Sequence, residues 1–116
     1  MGENAFPPAL HLKRPSEFRV VFDRGAKRHT GGFILFRAAN GLGRPRLGVS
    51  VSRKIGGAVV RNRVKRLVRE AFRQNWRSWD LDGIDLVVIA KRGADALSYA
   101  QVSLEFAGAL PARGRR

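Results

Sequence analysis

Between residues 60 and 76 the apolar side chains recur at Val60, Val64, Leu67, Val68, Ala71, Phe72 and Trp76. At about 100° per residue these positions share one broad face of a helix. Asn62, Arg66, Arg69 and Arg73 gather on the opposite face, with Arg61 and Lys65 on one flank and Arg63 on the other. Six of the thirteen residues from 61 to 73 are Arg or Lys, and Glu70 is the only acid among them. Like charges three and four residues apart repel by a few tenths of a kcal/mol per pair. A helix that accepts this repeatedly needs a core to hold its apolar face, and its other face suits a polyanion.

The rest of the chain has the same bias. Its 116 residues carry 23 Lys and Arg against 9 Asp and Glu, a formal charge of +14. A chain of this length builds one small domain with one core. Its positive field favours nucleic acid or an anionic membrane. It has no cysteine, which excludes a disulfide frame and thiolate metal sites. Its two histidines, His11 and His29, are too few and too far apart for a metal cluster or a Ser/His pair. No apolar run approaches the roughly 20 residues of a membrane span, and the N-terminus lacks a signal-peptide core. The simplest compartment is the cytoplasm.

In chain order, residues 1–11 contain Pro7-Pro8 and little pattern, and read as a flexible N-terminal arm. Residues 12–110 read as one α/β domain, and residues 111–116 as a basic C-terminal tail. Ser16 can cap a short helix that Gly25 ends, with Phe18, Val21 and Phe22 at helical spacing. Residues 26–32 read as a basic loop, with an extra short strand around 28–32 left open. Residues 33–39 form a β-rich run, with Phe33 and Val21 expected in the core. Asn40-Gly41 signals a turn. Leu47, Val49 and Val51 then alternate with Gly48, Ser50 and Ser52, which predicts a strand with one nearly bare face and a shallow trough above it. These two strands are expected to pair as a hairpin. Gly56-Gly57 permits a sharp entry into the basic helix, predicted over 59–76. A buried strand follows at 84–90. Ser98 and Gln101 fit a capping box for a last helix that Pro111 stops. The order α-β-β-(β)-α-β-α describes an α+β, two-layer α/β sandwich.

Several residues carry two readings. The basic helix face is either solvated or bound to nucleic acid, and its one-signed, Arg-dominated charge favours nucleic acid. Asn62 is an ordinary polar helix residue or a reader of a base or 2′-hydroxyl. Phe18, Phe22 and Phe36 are core, or platforms for single-stranded bases in a cationic trough flanked by Lys13, Arg14, Arg53, Lys54, Lys91 and Arg92. Ser50, Ser52, Asp85 and Asp95 lack any base or paired carboxylate at catalytic spacing. Asp80 and Asp82 suit a turn better than a hydrated Mg²⁺. No Gly-Lys-Ser/Thr follows the glycines, so there is no Walker loop. The residues describe a binder without a self-contained active site.

The run from Gly48 to Phe72, with Arg61-Asn62-Arg63 at its centre, resembles the signature of the bacterial ribonuclease P protein component. The likeness extends from about Leu12 to Leu110, taking in the two phenylalanines four apart in the first helix and the aromatic strand at 33–36. It implies a small, ribosomal-protein-like fold with a left-handed βαβ crossover, which pattern reasoning alone would not select. It implies a ribonucleoprotein endonuclease (a phosphodiester hydrolase) that removes the 5′ leader from precursor tRNA, with RNA and Mg²⁺ performing the hydrolysis and no catalytic residue in the protein. By position, the catalytic RNA would meet Arg61, Asn62, Arg63, Lys65, Arg66, Arg69 and Arg73. The single-stranded leader would meet Phe18, Phe22, Phe36, Arg53, Lys54 and Lys91. Phe36 stands where many relatives have tyrosine, which keeps stacking and removes a phenolic hydrogen bond. No membrane and no obligate protein partner is implied. The alternatives are a ribosome-associated or general RNA-binding module and, more remotely, a duplex-DNA binder.

Overall fold

The computed structural model describes residues 11–112; the basic tail from 113 onward and the arm up to residue 10 lie outside them. In order the elements are α1 (Pro15–Arg24), β1 (Ala26–His29), β2 (Phe33–Ala39), β3 (Arg46–Ser50), α2 (Ala58–Asn75), β4 (Ile84–Ala90) and α3 (Tyr99–Ala109). Short 3₁₀ turns at Trp76–Ser78 and Ala94–Ala96 flank β4. The four strands form one sheet in the order β1-β2-β4-β3. Both β1 with β2 and β2 with β4 are antiparallel, while β3 runs parallel to β4.

Two expectations are corrected here. The expected hairpin between residues 33–39 and 46–52 does not form, because β4 lies between β2 and β3. β4 is the run with apolar residues on both faces, and only an interior position buries both. The Asn40-Gly41 turn is accordingly wide. Asn40 Oδ1 accepts from Leu42 N at 2.8 Å and Asn40 Nδ2 donates to Arg44 O at 3.1 Å, while Gly41 and Gly43 take positive φ. Residues 26–29, read as loop with a short strand left open around 28–32, are an edge strand that begins two residues earlier than that alternative. All four are exposed, so no apolar alternation marked them; pairing with β2 defines the strand.

The helices follow the expected periods. α2 buries Val64, Val68, Ala71 and Phe72 on the sheet. Ser98 Oγ accepts from Gln101 N at 3.2 Å and Gln101 Oε1 accepts from Ser98 N at 2.8 Å, completing the predicted capping box of α3. The first helix starts earlier than expected: Arg14 rather than Ser16 is its N-cap, with Pro15 in the first turn.

Two cores result, one on each sheet face. The larger joins Phe33, Leu35, Leu47, Leu86 and Val88 to α2 and α3. Within it Phe106 stands 5.2 Å from Phe33, 5.7 Å from Phe72 and 6.2 Å from Trp79, all tilted or edge-on. The smaller core joins Leu12, Val21, Ala38 and Val87 beneath α1. Val21 and Phe33 are fully buried, as expected.

The hand of the β3–α2–β4 crossover follows from one carbonyl. Leu47 turns its side chain toward the α2 core, and its carbonyl accepts from Leu12 N at 2.8 Å, on the side away from β4. Viewed with α2 in front and the strands running up, an L-residue facing the viewer points its N–H and C=O to the right. β4 is therefore on the left, and the crossover is left-handed, against the usual preference. The bond from Lys91 N to Gly32 O at 2.8 Å gives the same answer from the other edge of β4.

Candidate RNA interface

α1 and α2 cover opposite faces of the sheet, so the cations of α2 and the rings of Phe18 and Phe36 lie on different sides of it. On α2, Asn62, Arg63, Arg66 and Arg69 are exposed, and Arg61, Lys65 and Arg73 are half-buried. The apolar spacing rotates Val64, Val68 and Phe72 inward, and this turns the intervening cations outward. The charges are not equally available. Arg63 Nη1 donates to Asp95 O at 2.7 Å, which ties the helix to the turn after β4. Arg73 pairs with Glu70 through both Nε and Nη2, and Gln74 Nε2 donates to the same carboxylate at 2.7 Å. Hydrogen bonds from Arg73 first, and from Gln74 second, hold the Glu70 carboxyl down at about 2. Arg66 and Arg69 are thus the outermost cations in the middle of the helix. At its start Gly57 offers no side-chain cap, and no acid sits in the first turn. The positive end of the helix adds to the arginine field.

On the other face α1 covers only part of the sheet. The ring of Phe22 meets Phe36 edge-on at 5.1 Å between centroids, and Phe18 lies 6.5 Å from Phe22. Phe22 is 39% exposed, while Phe18 and Phe36 are half-buried. Phe18 and Phe36 therefore combine a core contact with an open surface, between the two readings the sequence allowed, while Phe22 is an exposed ring resting on these two. A depression of about 610 Å³ beside α1 is lined by Lys13, Pro15, Phe18, Arg19, Phe22, Asp23, Val49 and Ser50. The bare face of β3 contributes less than expected. A Cβ on Gly48 would stand 2.6 Å from the Phe18 ring, so Gly48 is a seat for Phe18 and not part of an open trough. Ser52 lies beyond the end of β3. The open part runs over Ser50.

Arg53 and Lys54 are exposed in the turn between β3 and α2. Lys91, just after β4, is half-buried and held at its backbone by Gly32. Sequence reasoning missed Lys27, whose Nζ lies 5.8 Å from the Phe36 ring centre. It also missed the row His29, Ile34, Ile89 and Ser50, which cross-strand register aligns over all four strands on the face that α1 occupies. Both omissions trace to β1, which carries no apolar signal.

Among the described residues no three His, Cys, Asp or Glu side chains assemble a metal site, and no helix is long and apolar enough to cross a membrane. Asp85 is buried, and its carboxylate accepts hydrogen bonds from Arg46 and Asn40.

The chain is similar in sequence and fold to known proteins. The family model described as Ribonuclease P matches residues 6–112. The chain is 44% identical over 110 residues to a ribonuclease P protein component of Desulfovibrio desulfuricans, covering 90% of this chain and 83% of that protein. It is 42% identical over 110 residues to the one of Geobacter sp., covering 94% and 92%. The solved RNase P protein from Thermotoga maritima superposes with a TM-score of 0.79 at 31% identity, over 86% of this chain and 94% of that one. With fold, signature helix and near full-length similarity in accord, the chain belongs to the ribonuclease P protein family.

Proposed function

We propose that the chain serves its endoribonuclease complex through two surfaces: the outer face of α2 docks on the catalytic RNA, and the cleft beside α1 receives the single-stranded 5′ leader of precursor tRNA. The observation that carries this reading is the separation of a cationic helix, whose single acid is Glu70, from an aromatic cleft edged by Lys13 and Arg19 on the opposite sheet face. Arg61, Asn62, Arg63, Lys65, Arg66, Arg69 and Arg73 supply the first surface. Arg73 contributes less than its neighbours, because Glu70 already answers its charge. Phe18, Phe22 and Phe36 supply stacking surfaces in the second, each stacked base being worth about 1–3 kcal/mol. Arg53, Lys54 and Lys91, joined by Lys27, supply phosphate contacts.

In this reading phosphodiester hydrolysis belongs to the RNA and the Mg²⁺ it holds. The protein lowers the Mg²⁺ needed by contributing fixed positive charge. A cytoplasmic location goes with this substrate. Reconstitution tests the proposal: protein plus a bacterial ribonuclease P RNA should cleave a precursor tRNA faster at low Mg²⁺ than the RNA alone, and protein alone should not cleave. Absence of stimulation at every low Mg²⁺ concentration would favour a general RNA-binding module instead.

A further inference from the structure

Asp85 is the buried charged residue of the described chain, at 6% exposure. It sits on β4, opposite Arg46 of β3 in the parallel register. Arg46 grips it in a fork, Nε to Oδ1 at 2.9 Å and Nη2 to Oδ2 at 2.8 Å. Asn40 Nδ2 donates to Oδ1 at 2.8 Å. The remaining arm of Arg46, Nη1, reaches Glu17 Oε2 of α1 at 3.2 Å. The other oxygen of Glu17 accepts the backbone N–H groups of Lys13 and Arg14 at 3.0 and 3.1 Å. One carboxylate therefore closes the start of α1 and fastens that start to the sheet.

The neighbour of Glu17 in the chain is Phe18, whose ring rests on the bare backbone of Gly48. At the other end of α1, a Cβ on Gly25 would meet Val21 O at 2.4 Å and Arg37 O at 3.0 Å, so the helix end is pressed against β2. Between these two attachments α1 fully buries only Val21. A helix of this length has little stability of its own, and its end anchors set its tilt.

We infer that the Asp85–Arg46–Glu17 network is a positioning device for the leader cleft: it fixes the tilt of α1, and so the spacing between the Phe18–Phe22 wall and Phe36. This rests on the leader reading given above. Glu17, Arg46 and Asp85 touch no substrate in this scheme; they act through the aromatic rings.

The test uses Glu17→Gln, which keeps the shape, removes the charge and turns a donor toward Arg46 in one amide orientation. Arg46→Lys keeps a cation beside Asp85 and loses the fork. In the reconstituted holoenzyme, Glu17→Gln should lower the preference for leader-bearing over mature tRNA by roughly three- to tenfold, with affinity for the catalytic RNA unchanged. Arg46→Lys should lower it in the same direction. By NMR of the free protein, nuclear Overhauser contacts of the Phe18 ring with Gly48, and of Phe22 with Phe36, should weaken while those of the Phe33–Phe106 core persist. Unchanged ring contacts, or unchanged discrimination in Glu17→Gln, would overturn the inference. Phe22→Ala run in parallel separates the causes: if it loses discrimination and Glu17→Gln does not, only the positioning role fails. If Phe22→Ala also retains discrimination, the leader reading fails and the inference fails with it.

Discussion

At the residue scale, Glu70 is the only acid on the cationic helix, and its effects on stability and on binding have opposite signs. Its folded pKa, about 2, lies below the ordinary 4.5 because Arg73 and then Gln74 donate to it. A depressed carboxylate stabilises the fold above its unfolded pKa, and that contribution is lost as pH falls from about 4.5 through about 2. Both partners are solvent-accessible, so screening keeps the effect small. Glu70→Gln should lower Tm at pH 7 by about 2 °C, and thermal melts at decreasing pH should show the gap to wild type closing by about pH 2. The same substitution removes the acid competing for Arg73, so affinity for the catalytic RNA should rise in a salt titration. Pairings at this scale were partly legible. The Ser98–Gln101 box could be read because its partners are three residues apart. The Arg46–Asp85 fork could not, because it joins residues 39 apart in sequence.

At the scale of elements, α2 was the most legible part of the chain. Its core face and its charge follow from one period, and its observed span, Ala58–Asn75, lies within one residue of the expected bounds at each end. The prediction at this scale concerns its outer face. Replacing Arg66 and Arg69 together with Ala should weaken binding to the catalytic RNA and flatten the plot of log affinity against log salt, by about 0.7–0.9 per lost phosphate contact. The preference for leader-bearing substrate should stay intact, and equal loss of both properties would refute the division into two surfaces. β1 was the least legible element. Ala26–His29 has no buried side chain and no alternation, and it is a strand only because β2 offers it an unpaired edge. The capping signals at α1 misled by two residues because Pro15, with its missing N–H, suits the first turn and moves the start upstream.

At the scale of the whole molecule, stability depends on the aromatic cluster joining both large helices to the sheet. Phe106 is fully buried and touches rings from β2, α2 and the segment before β4. Phe106→Ala should destabilise the fold by about 3–5 kcal/mol, a large share of the roughly 5–15 kcal/mol typical of a domain. A lowered urea midpoint, with loss of RNA binding and helical signal in one transition, would show it. Arrangement at this scale needed the tertiary structure. The sequence by itself determined the helices, the apolar strands, the cationic face of α2 and, through the long signature around Arg61-Asn62-Arg63, the family. Each of these is written in local periodicity or in a contiguous run. Tertiary structure alone decided that β4 separates β2 from β3, that α1 and α2 take opposite faces, and that Lys27 comes to lie beside the Phe36 ring. It also placed the Asp85–Arg46–Glu17 network at the base of α1. These choices depend on which distant surfaces bury one another best, and a residue's own neighbours in the chain do not carry that information.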